Sequence, residues 1–150
     1  MTVVNGYSLL EASPIINMSP DKNKEHGVSW GLSEAGYDIR IKQNISFKEG
    51  GARFSLASSI EKFKMPHNLL GIVHDKSTWA RQGLSVFNTV IEPGWCGFLT
   101  LELVYHGDKD LTIPSGAGIA QVVFHKISEW GGYIGKYQDQ EDRPVEARFK

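Results

Sequence analysis

The chain has 150 residues, of which 41% are hydrophobic and 22% are charged, and this fits one globular domain spanning residues 1–150. Sixteen Lys and Arg residues nearly balance 17 Asp and Glu residues, for a formal net charge of −1. Because binders of nucleic acid usually carry a concentrated basic face, this balance argues against a polynucleotide partner.

The sequence gives no sign of a membrane or secretory context. No run approaches the roughly 18 to 20 apolar residues of a membrane span. The first residues show no basic region followed by an apolar stretch, so we expect no secretory signal. The single cysteine, Cys96, cannot form an internal disulfide. We therefore expect a cytoplasmic protein without a membrane partner.

In chain order, the pattern predicts mostly short strands. Residues 5–12 favour a short helix, and the polar stretch 17–30 favours a loop. Alternating apolar residues and flanking turn residues predict strands that we list here: 37–41, 52–60, 69–74, 97–105 and 118–127. Turn signals recur at 92–95, 106–110 and 114–116. Many short strands with one or two short helices predict a closed or two-sheet all-β domain.

One strand carries an unusual carboxylate. In FLTLELV, Leu99, Leu101 and Leu103 share one face, and Glu102 lies on the other face between Thr100 and Val104. The pattern allows two interpretations. Glu102 is either an exposed residue on a strand with one wet face, or a partly buried carboxylate with a raised pKa, as a general acid/base requires near neutral pH.

The segment KSTWAR, residues 76–81, is a second candidate for chemistry. If it forms a helical turn with Ser77 as N-cap, Ser77 and Arg81 lie four residues apart on one face. The first-turn N–H groups, Lys76, Arg81 and the hydroxyls of Ser77 and Thr78 then suit an anion. The alternative is an ordinary capped helix with a surface arginine.

Metal and nucleophile chemistry are not indicated. The five histidines are spread out, and the single cysteine gives none of the spacings of catalytic or structural zinc sites. Cys96 has no histidine nearby in sequence and is expected to be an inert thiol. The sequence contains no nucleophile elbow and no Walker-type phosphate loop.

Four ordered segments together resemble the trimeric dUTPase and dCTP deaminase superfamily, and within it dCTP deaminase. They are KSTWARQGL, NTVIEPGWCGFLTLEL, IPSGAGIAQVVFHKI and GKYQDQ, between about residues 66 and 140. A weaker similarity covers GLSEAGYDIRI at 31–41.

The resemblance implies a dUTPase-like β-clip, that is, a distorted, jelly-roll-like β-barrel assembled as a homotrimer. Each active site would lie between subunits, and a C-terminal tail of about residues 136–150 would close over the nucleotide. The implied reaction is hydrolytic deamination of dCTP to dUTP and ammonia without zinc, with Mg²⁺ accompanying the triphosphate.

The resemblance also implies roles for individual residues. Glu102 matches the catalytic glutamate, which takes a proton from the attacking water and delivers it to the leaving amine. Ser77 matches the serine that holds this water, and Arg81 matches the arginine near the reacting centre. The positions that match nucleotide contacts are Lys76, Thr78, Glu92, Thr100, Leu101, Gln121, Tyr133, Lys136 and Gln140.

The C-terminal region departs from the family pattern. After GKYQDQ the chain continues with the charged segment EDRPVEARFK, and the glycine-rich dUTPase motif is absent. This argues against a plain dUTPase. Because Glu92 occupies the position of the water-activating aspartate of dUTPases, a bifunctional enzyme that also removes pyrophosphate stays open. A non-catalytic nucleotide-binding or interaction protein of this fold is the other alternative.

Overall fold

The computed structural model describes residues 2–149, which form 12 strands and two short helices. In chain order these elements are β1 (Val3–Val4), α1 (Gly6–Ala12), β2 (Lys22–Glu25), β3 (Val28–Leu32), β4 (Tyr37–Arg40), β5 (Ile45–Phe47), β6 (Phe54–Lys64), β7 (Leu69–Asp75), α2 (Ser77–Ala80), β8 (Leu84–Val86), β9 (Val90–Ile91), β10 (Cys96–Tyr105), β11 (Leu111–Ile113) and β12 (Gly118–Lys126). The all-β prediction is confirmed.

The strands form three antiparallel sheets. The largest has the order β2-β3-β4-β12-β7-β9, with β1 also paired to β12. A second sheet has the order β6-β10-β8, and β11 pairs with β5 in a third. A bridge between Ile41 and Ser59 joins the large sheet to the second one. Nearby, Glu61 of β6 accepts hydrogen bonds from the backbone N–H and the Nε of Arg40, both at 2.9 Å.

The core is built from the inward faces of these sheets. Its largest fully buried side chains include Tyr37, Phe63 and Phe124. On β12, Ile119, Ala120, Val122 and Phe124 are all buried, as expected for a central strand covered on both faces. None of the helices formed by residues 2–149 is long and apolar enough to cross a membrane.

The expectation of a loop at 17–30 is wrong. Residues 22–32 form a hairpin, in which Glu25 pairs with Val28 around a two-residue turn. His26 and Gly27 have φ of 53° and 75°, so both central residues adopt the left-handed conformation that tight hairpin turns require. The hairpin lies at the sheet edge, and its outer strand β2 is polar, so it shows no apolar alternation.

The short helix at residues 77–80 also differs from expectation. Lys76, and not Ser77, is the N-cap residue, and it makes no side-chain capping hydrogen bond. Four residues give almost no helix dipole, since a helix this short has only one hydrogen-bonded turn. The predicted attraction of an anion to first-turn N–H groups therefore has little support.

Candidate functional site

A cavity of about 730 Å³ opens beside Glu102. Its wall is mainly apolar and aromatic, with polar groups at a few positions. The lining residues that matter for chemistry are Glu102, Asn88, Glu92, Thr100, Tyr133 and Gln140. A concave apolar space with a few convergent polar groups is the usual form of a small-molecule site.

Strand β10 sets the direction of the Glu102 side chain. Leu101 and Leu103 are fully buried on the core face, so Glu102 between them points to the other face, towards the cavity. The backbone N–H of Phe87 donates to the carbonyl oxygen of Glu102 at 2.7 Å, which fixes β10 against the segment after β8. Glu102 is paired with Leu56 on the neighbouring strand β6, and Leu56 also lines the cavity.

The carboxylate of Glu102 is half-buried, and one of its oxygens lacks a hydrogen bond. Its Oε2 atom is buried and has no hydrogen-bond partner within residues 2–149. Burial disfavours the charged form and raises the pKa of Glu102 to about 7. Of the two interpretations allowed by the sequence, the structure agrees with the partly buried carboxylate and not with an exposed residue.

A register shift next to Glu102 changes which side chains reach the cavity. The β6–β10 pairing slips between Phe98 and Thr100, so Leu99 and Thr100 both line the cavity. Leu101 lies in the core and not on the cavity wall. Thr100 and Leu101 were both predicted to contact the nucleotide. The side chain of Thr100 reaches the cavity wall, whereas Leu101 can contribute only its backbone.

The C-terminal segment forms one side of the cavity. Gln140 donates from Nε2 to the Phe98 carbonyl at 2.8 Å and to the Thr100 hydroxyl at 3.0 Å. The same hydroxyl accepts from the backbone N–H of Val145 at 3.0 Å. Val145, Glu146 and Ala147 line the cavity. The side chains of Thr100 and Gln140 are therefore already engaged in holding the tail on β10.

Two further predicted residues lie on the cavity wall. Glu92 is exposed at the rim, and Tyr133 is partly buried. The hydroxyl of Tyr133 accepts from the backbone N–H of Tyr137 at 3.1 Å, and the carbonyl of Tyr137 accepts from Trp95 Nε1 at 2.7 Å. These contacts fix the aromatic part of the wall.

Asn88 lies on the same wall and was not among the sequence candidates. Its Nδ2 donates to the Thr100 carbonyl at 3.2 Å, which fixes the amide orientation. Its Oδ1 is buried, and no described residue donates to it. Because Asn88 follows Phe87 in a segment without strand periodicity, no pattern in the sequence singled it out.

The other predicted residues surround α2. Lys76, Ser77, Thr78 and Gln121 line a second pocket of about 430 Å³. Ser77 and Thr78 are exposed. Gln121 lies on β12, opposite Asp38 of β4 in the sheet. This pocket shares no lining residue with the Glu102 cavity.

Lys76 is held inside this region. Its Nζ lies 2.8 Å from Oδ2 of Asp38 and 3.1 Å from the hydroxyl of Ser29. The side chains of Lys76 and Asp38 are only 10% and 3% exposed.

Arg81 and Lys136 line neither pocket. Both are exposed, and Lys136 Nζ lies 5.8 Å from the ring centre of Tyr137.

Within a single chain, most of the predicted site residues therefore fall into two separate clusters. Glu102, Glu92, Thr100, Tyr133 and Gln140 gather around the cavity. Lys76, Ser77, Thr78 and Gln121 gather at the second pocket. Among residues 2–149, no three His, Cys, Asp or Glu side chains converge as a metal-binding group.

The dCTP deaminase-like family model matches residues 50–127, just over half of the chain. A dCTP deaminase of Campylobacter fetus is 36% identical over 146 residues, covering 76% of this chain and 78% of the relative. A dCTP deaminase of Roseiflexus castenholzii is 34% identical, covering 75% and 79%. One of Chlamydia abortus is 32% identical, covering 94% and 90%.

Solved structures of dUTPases share the fold. The dUTPase of EIAV has a TM-score of 0.57 at 20% identity, covering 83% of this chain and 92% of that chain. The dUTPase of Staphylococcus bacteriophage 80alpha has a TM-score of 0.58 at 15% identity, covering 81% and 90%. The dUTPase-like fold expected from the sequence is confirmed by these likenesses.

Proposed function

Because the chain belongs to the dCTP deaminase-like family, we propose that it is an enzyme that hydrolyses dCTP to dUTP and ammonia. The observation that carries the proposal is the Glu102 carboxylate, which lines the cavity with an unpartnered buried oxygen and a pKa of about 7. A carboxylate in this state exchanges protons readily near neutral pH.

In the proposed mechanism, Glu102 acts first as a base and then as an acid. It takes a proton from a water molecule that attacks C4 of cytosine, forming a tetrahedral intermediate. It then delivers this proton to the exocyclic amine, so that the C4–N4 bond breaks and ammonia leaves, and the proton of the new C4 hydroxyl passes to N3 to give uracil. General acid–base help of this kind contributes on the order of 10²–10⁴-fold. In this proposed route a carboxylate activates the water, and no zinc ion takes part.

The cavity wall supplies the remaining base contacts in this proposal. Asn88 presents a buried carbonyl-type acceptor, held in orientation by the hydrogen bond from its Nδ2 to Thr100. An acceptor can bind the 4-amino group of cytosine, which donates a hydrogen bond, but not the 4-oxo group of uracil, which only accepts one. The backbone of Thr100 and Leu101 would flank the ring, and Glu92 and Tyr133 at the wall would contact the sugar and phosphate.

We propose that Ser77 and Arg81 complete the site from a second copy of the chain in a homotrimer. Within one chain, Ser77 lines a different pocket from Glu102, and Arg81 lines neither. Phe87 and Phe54, close to the Glu102 segment, are 63% and 52% exposed, which suits burial against another copy. In the assembled site, Ser77 would hold the water and Arg81 would stabilise developing negative charge.

The triphosphate would be held by cationic and polar groups around these two regions. Arg81, Lys136, Thr78 and Gln121 are the proposed contacts. The tail, about residues 136–150, would close over the nucleotide. Support for a closing tail comes from Val145, Glu146 and Ala147, which already line the cavity. A triphosphate carries about four negative charges, so several cationic partners are needed.

Magnesium enters the proposal only with the nucleotide. The described residues do not converge as a metal-binding group, so they do not fit an ion held by the protein alone. Mg²⁺ is commonly bound largely by substrate phosphates and water. Every step of the mechanism is assigned to residues of this chain.

A second activity, removal of pyrophosphate from the dUTP product, is favoured by one observation. Glu92 lines the same cavity as Glu102, so a second carboxylate would lie near a nucleotide bound there. A bifunctional enzyme would release dUMP and pyrophosphate, whereas a deaminase would accumulate dUTP.

The proposal is tested by incubating the purified protein with dCTP and Mg²⁺. We expect stoichiometric ammonia and a product separable as dUTP or dUMP by anion-exchange chromatography. The appearance of dUMP with pyrophosphate would establish the bifunctional alternative. Binding of dCTP without ammonia release would favour a non-catalytic member of the fold and refute the enzyme assignment.

A further inference from the structure

We infer that Asp38 is a positioning residue that anchors the α2 turn through Lys76, and that Lys76 serves as this anchor and not as a phosphate ligand. By "α2 turn" we mean residues 76–81. The inference deepens the proposed function and rests on it, because it concerns how Ser77 and Arg81 are held in place.

The contact is a buried ion pair with a third partner. Lys76 Nζ lies 2.8 Å from Asp38 Oδ2, and both side chains are at least nine-tenths buried. Ser29 lies next to both, 3.1 Å from Lys76 Nζ and 3.4 Å from Asp38 Oδ2. These groups come from β3, β4 and the residue before α2, so the pair ties the turn to two strands of the large sheet.

The ammonium group has little freedom to reach a phosphate. The other oxygen of Asp38, Oδ1, is buried and finds no partner among residues 2–149. If Lys76 moved out to a phosphate, Asp38 would become an unpaired buried carboxylate, and separating a buried pair in this way is strongly unfavourable. The lysine stem is also confined, since it packs against Gly118, where an added Cβ would lie 3.4 Å from Lys76 Cε.

The α2 turn depends on such anchors for its position. Four helical residues without a side-chain cap are not stable on their own. Trp79 fixes one side of the turn by donating from Nε1 to the Gly118 carbonyl at 2.7 Å. Lys76 fixes its beginning. Ser77 and Arg81 are themselves exposed, so their positions follow from these anchors.

The kinetic test compares Asp38→Asn, Lys76→Met and the double variant in dCTP deamination. We expect each single variant to lower kcat by about tenfold or more, because a displaced turn misplaces Ser77 and Arg81. KM should change by the same factor in both single variants, since the turn carries Thr78 and Arg81 with it in each case. The kcat of the double variant should be no lower than that of the less active single variant, because the two single changes remove the same interaction. The matched control is Lys48→Met, which removes an exposed pair with Asp110.

A phosphate ligand would behave differently. Lys76→Met would then raise KM with kcat intact, and Asp38→Asn would leave KM unchanged or lower it by releasing the ammonium group. Either pattern overturns the inference.

A second readout does not require turnover. The amides of Ala80 and Arg81 donate to the carbonyls of Lys76 and Ser77 at 2.9 and 3.0 Å. Hydrogen exchange at these amides should be about tenfold faster in Asp38→Asn, while the amides of β10 stay protected. Unchanged exchange contradicts the anchor even if dCTP proves not to be the substrate. Faster exchange in a protein that does not deaminate dCTP would support the anchor and refute the proposed function.

Ser29→Ala is a milder variant that keeps the test valid if Asp38→Asn or Lys76→Met fails to fold. It removes the third partner and leaves the ion pair intact. We expect exchange at Ala80 and Arg81 to rise by about twofold, because the hydroxyl contacts with Lys76 Nζ and Asp38 Oδ2 are lost while the ion pair remains. No change in this folded variant would overturn the inference.

Discussion

The Glu102 cavity and the α2 turn differ in whether their polar and charged groups have hydrogen-bond partners. The cavity holds two buried acceptor atoms without donors among the described residues, Glu102 Oε2 and Asn88 Oδ1, in a mainly apolar wall. At the α2 turn, Lys76 is paired with Asp38, while Ser77 and Arg81 are exposed. One region lacks donors, and the other presents them to its surroundings.

This difference shows how a divided site can be built. A buried carboxylate with no charge partner keeps a high pKa, and an exposed arginine keeps its charge available. Within one chain, the Glu102 carboxylate and the α2 turn lie at separate pockets. Bringing the halves of two copies together would supply the cavity with the donors it lacks.

The largest expected effect is that of Glu102→Gln. The change removes the group that moves protons and keeps its shape, so kcat for dCTP should fall on the order of 10²–10⁴-fold. Binding of dCTP, measured by calorimetry, should persist because the rest of the cavity is intact. Glu129→Gln, at an exposed position, is the control. Unchanged turnover would remove Glu102 from the mechanism.

The pH dependence sharpens the contrast between the regions. Glu102 must be ionised to accept a proton from water, so activity should rise with pH through the pKa of about 7. Two pH units below a pKa of about 7, about 1% of the carboxylate is ionised, so kcat/KM at pH 5 should be up to about 100-fold lower than its plateau. An Arg81 brought close would lower this pKa, so a midpoint above 7 would contradict the account.

Gln140→Ala tests how the C-terminal segment that lines the cavity is held in place. The change removes both donations from Nε2, to the Phe98 carbonyl and to the Thr100 hydroxyl, at a buried position. We expect the free energy of unfolding to fall by about 1–3 kcal/mol, measured by urea denaturation. Arg143→Ala, which removes a local exposed pair of the tail, is the control and should change little. Equal stability of the two variants would show that the tail is not held through Gln140.

The last expected effect is on stability as a function of pH. The folded-state pKa of Glu102 is raised from 4.5 to about 7, so between these values the folded chain holds a proton that the unfolded chain releases. The contribution of Glu102 to stability therefore falls as pH rises through this window. The Tm of Glu102→Gln, relative to the unmodified protein, should increase from pH 4.5 to pH 7. A constant difference would mean that the pKa is not raised.

The sequence predicted the parts of this account that follow from short-range patterns. Alternation along residues 98–104 was sufficient to identify β10 and to place Glu102 opposite the buried leucines. The turn at 76–81 was recognised from its residue types. The family resemblance then connected these segments, and the relatives and solved structures confirmed the family and the fold.

Contacts between distant segments could not be predicted in this way. Asp38 and Lys76 are 38 residues apart, so nothing local shows that the lysine is committed to an ion pair. The hairpin at 22–32 was missed because its outer strand is polar and lies at the sheet edge. The engagement of Gln140 with Thr100 depends on the tail folding back on β10, which composition does not reveal.

Subunit mixing tests most directly the central claim that Glu102 of one copy works with Arg81 of another. Glu102→Gln and Arg81→Gln, each inactive alone, are unfolded together at equal amounts, refolded and assayed with dCTP. If each site takes one residue from each of two neighbours, random assembly should restore about a quarter of the wild-type activity. Activity that stays at the mean of the two separate variants, with mixed trimers verified by native mass spectrometry, would contradict the account.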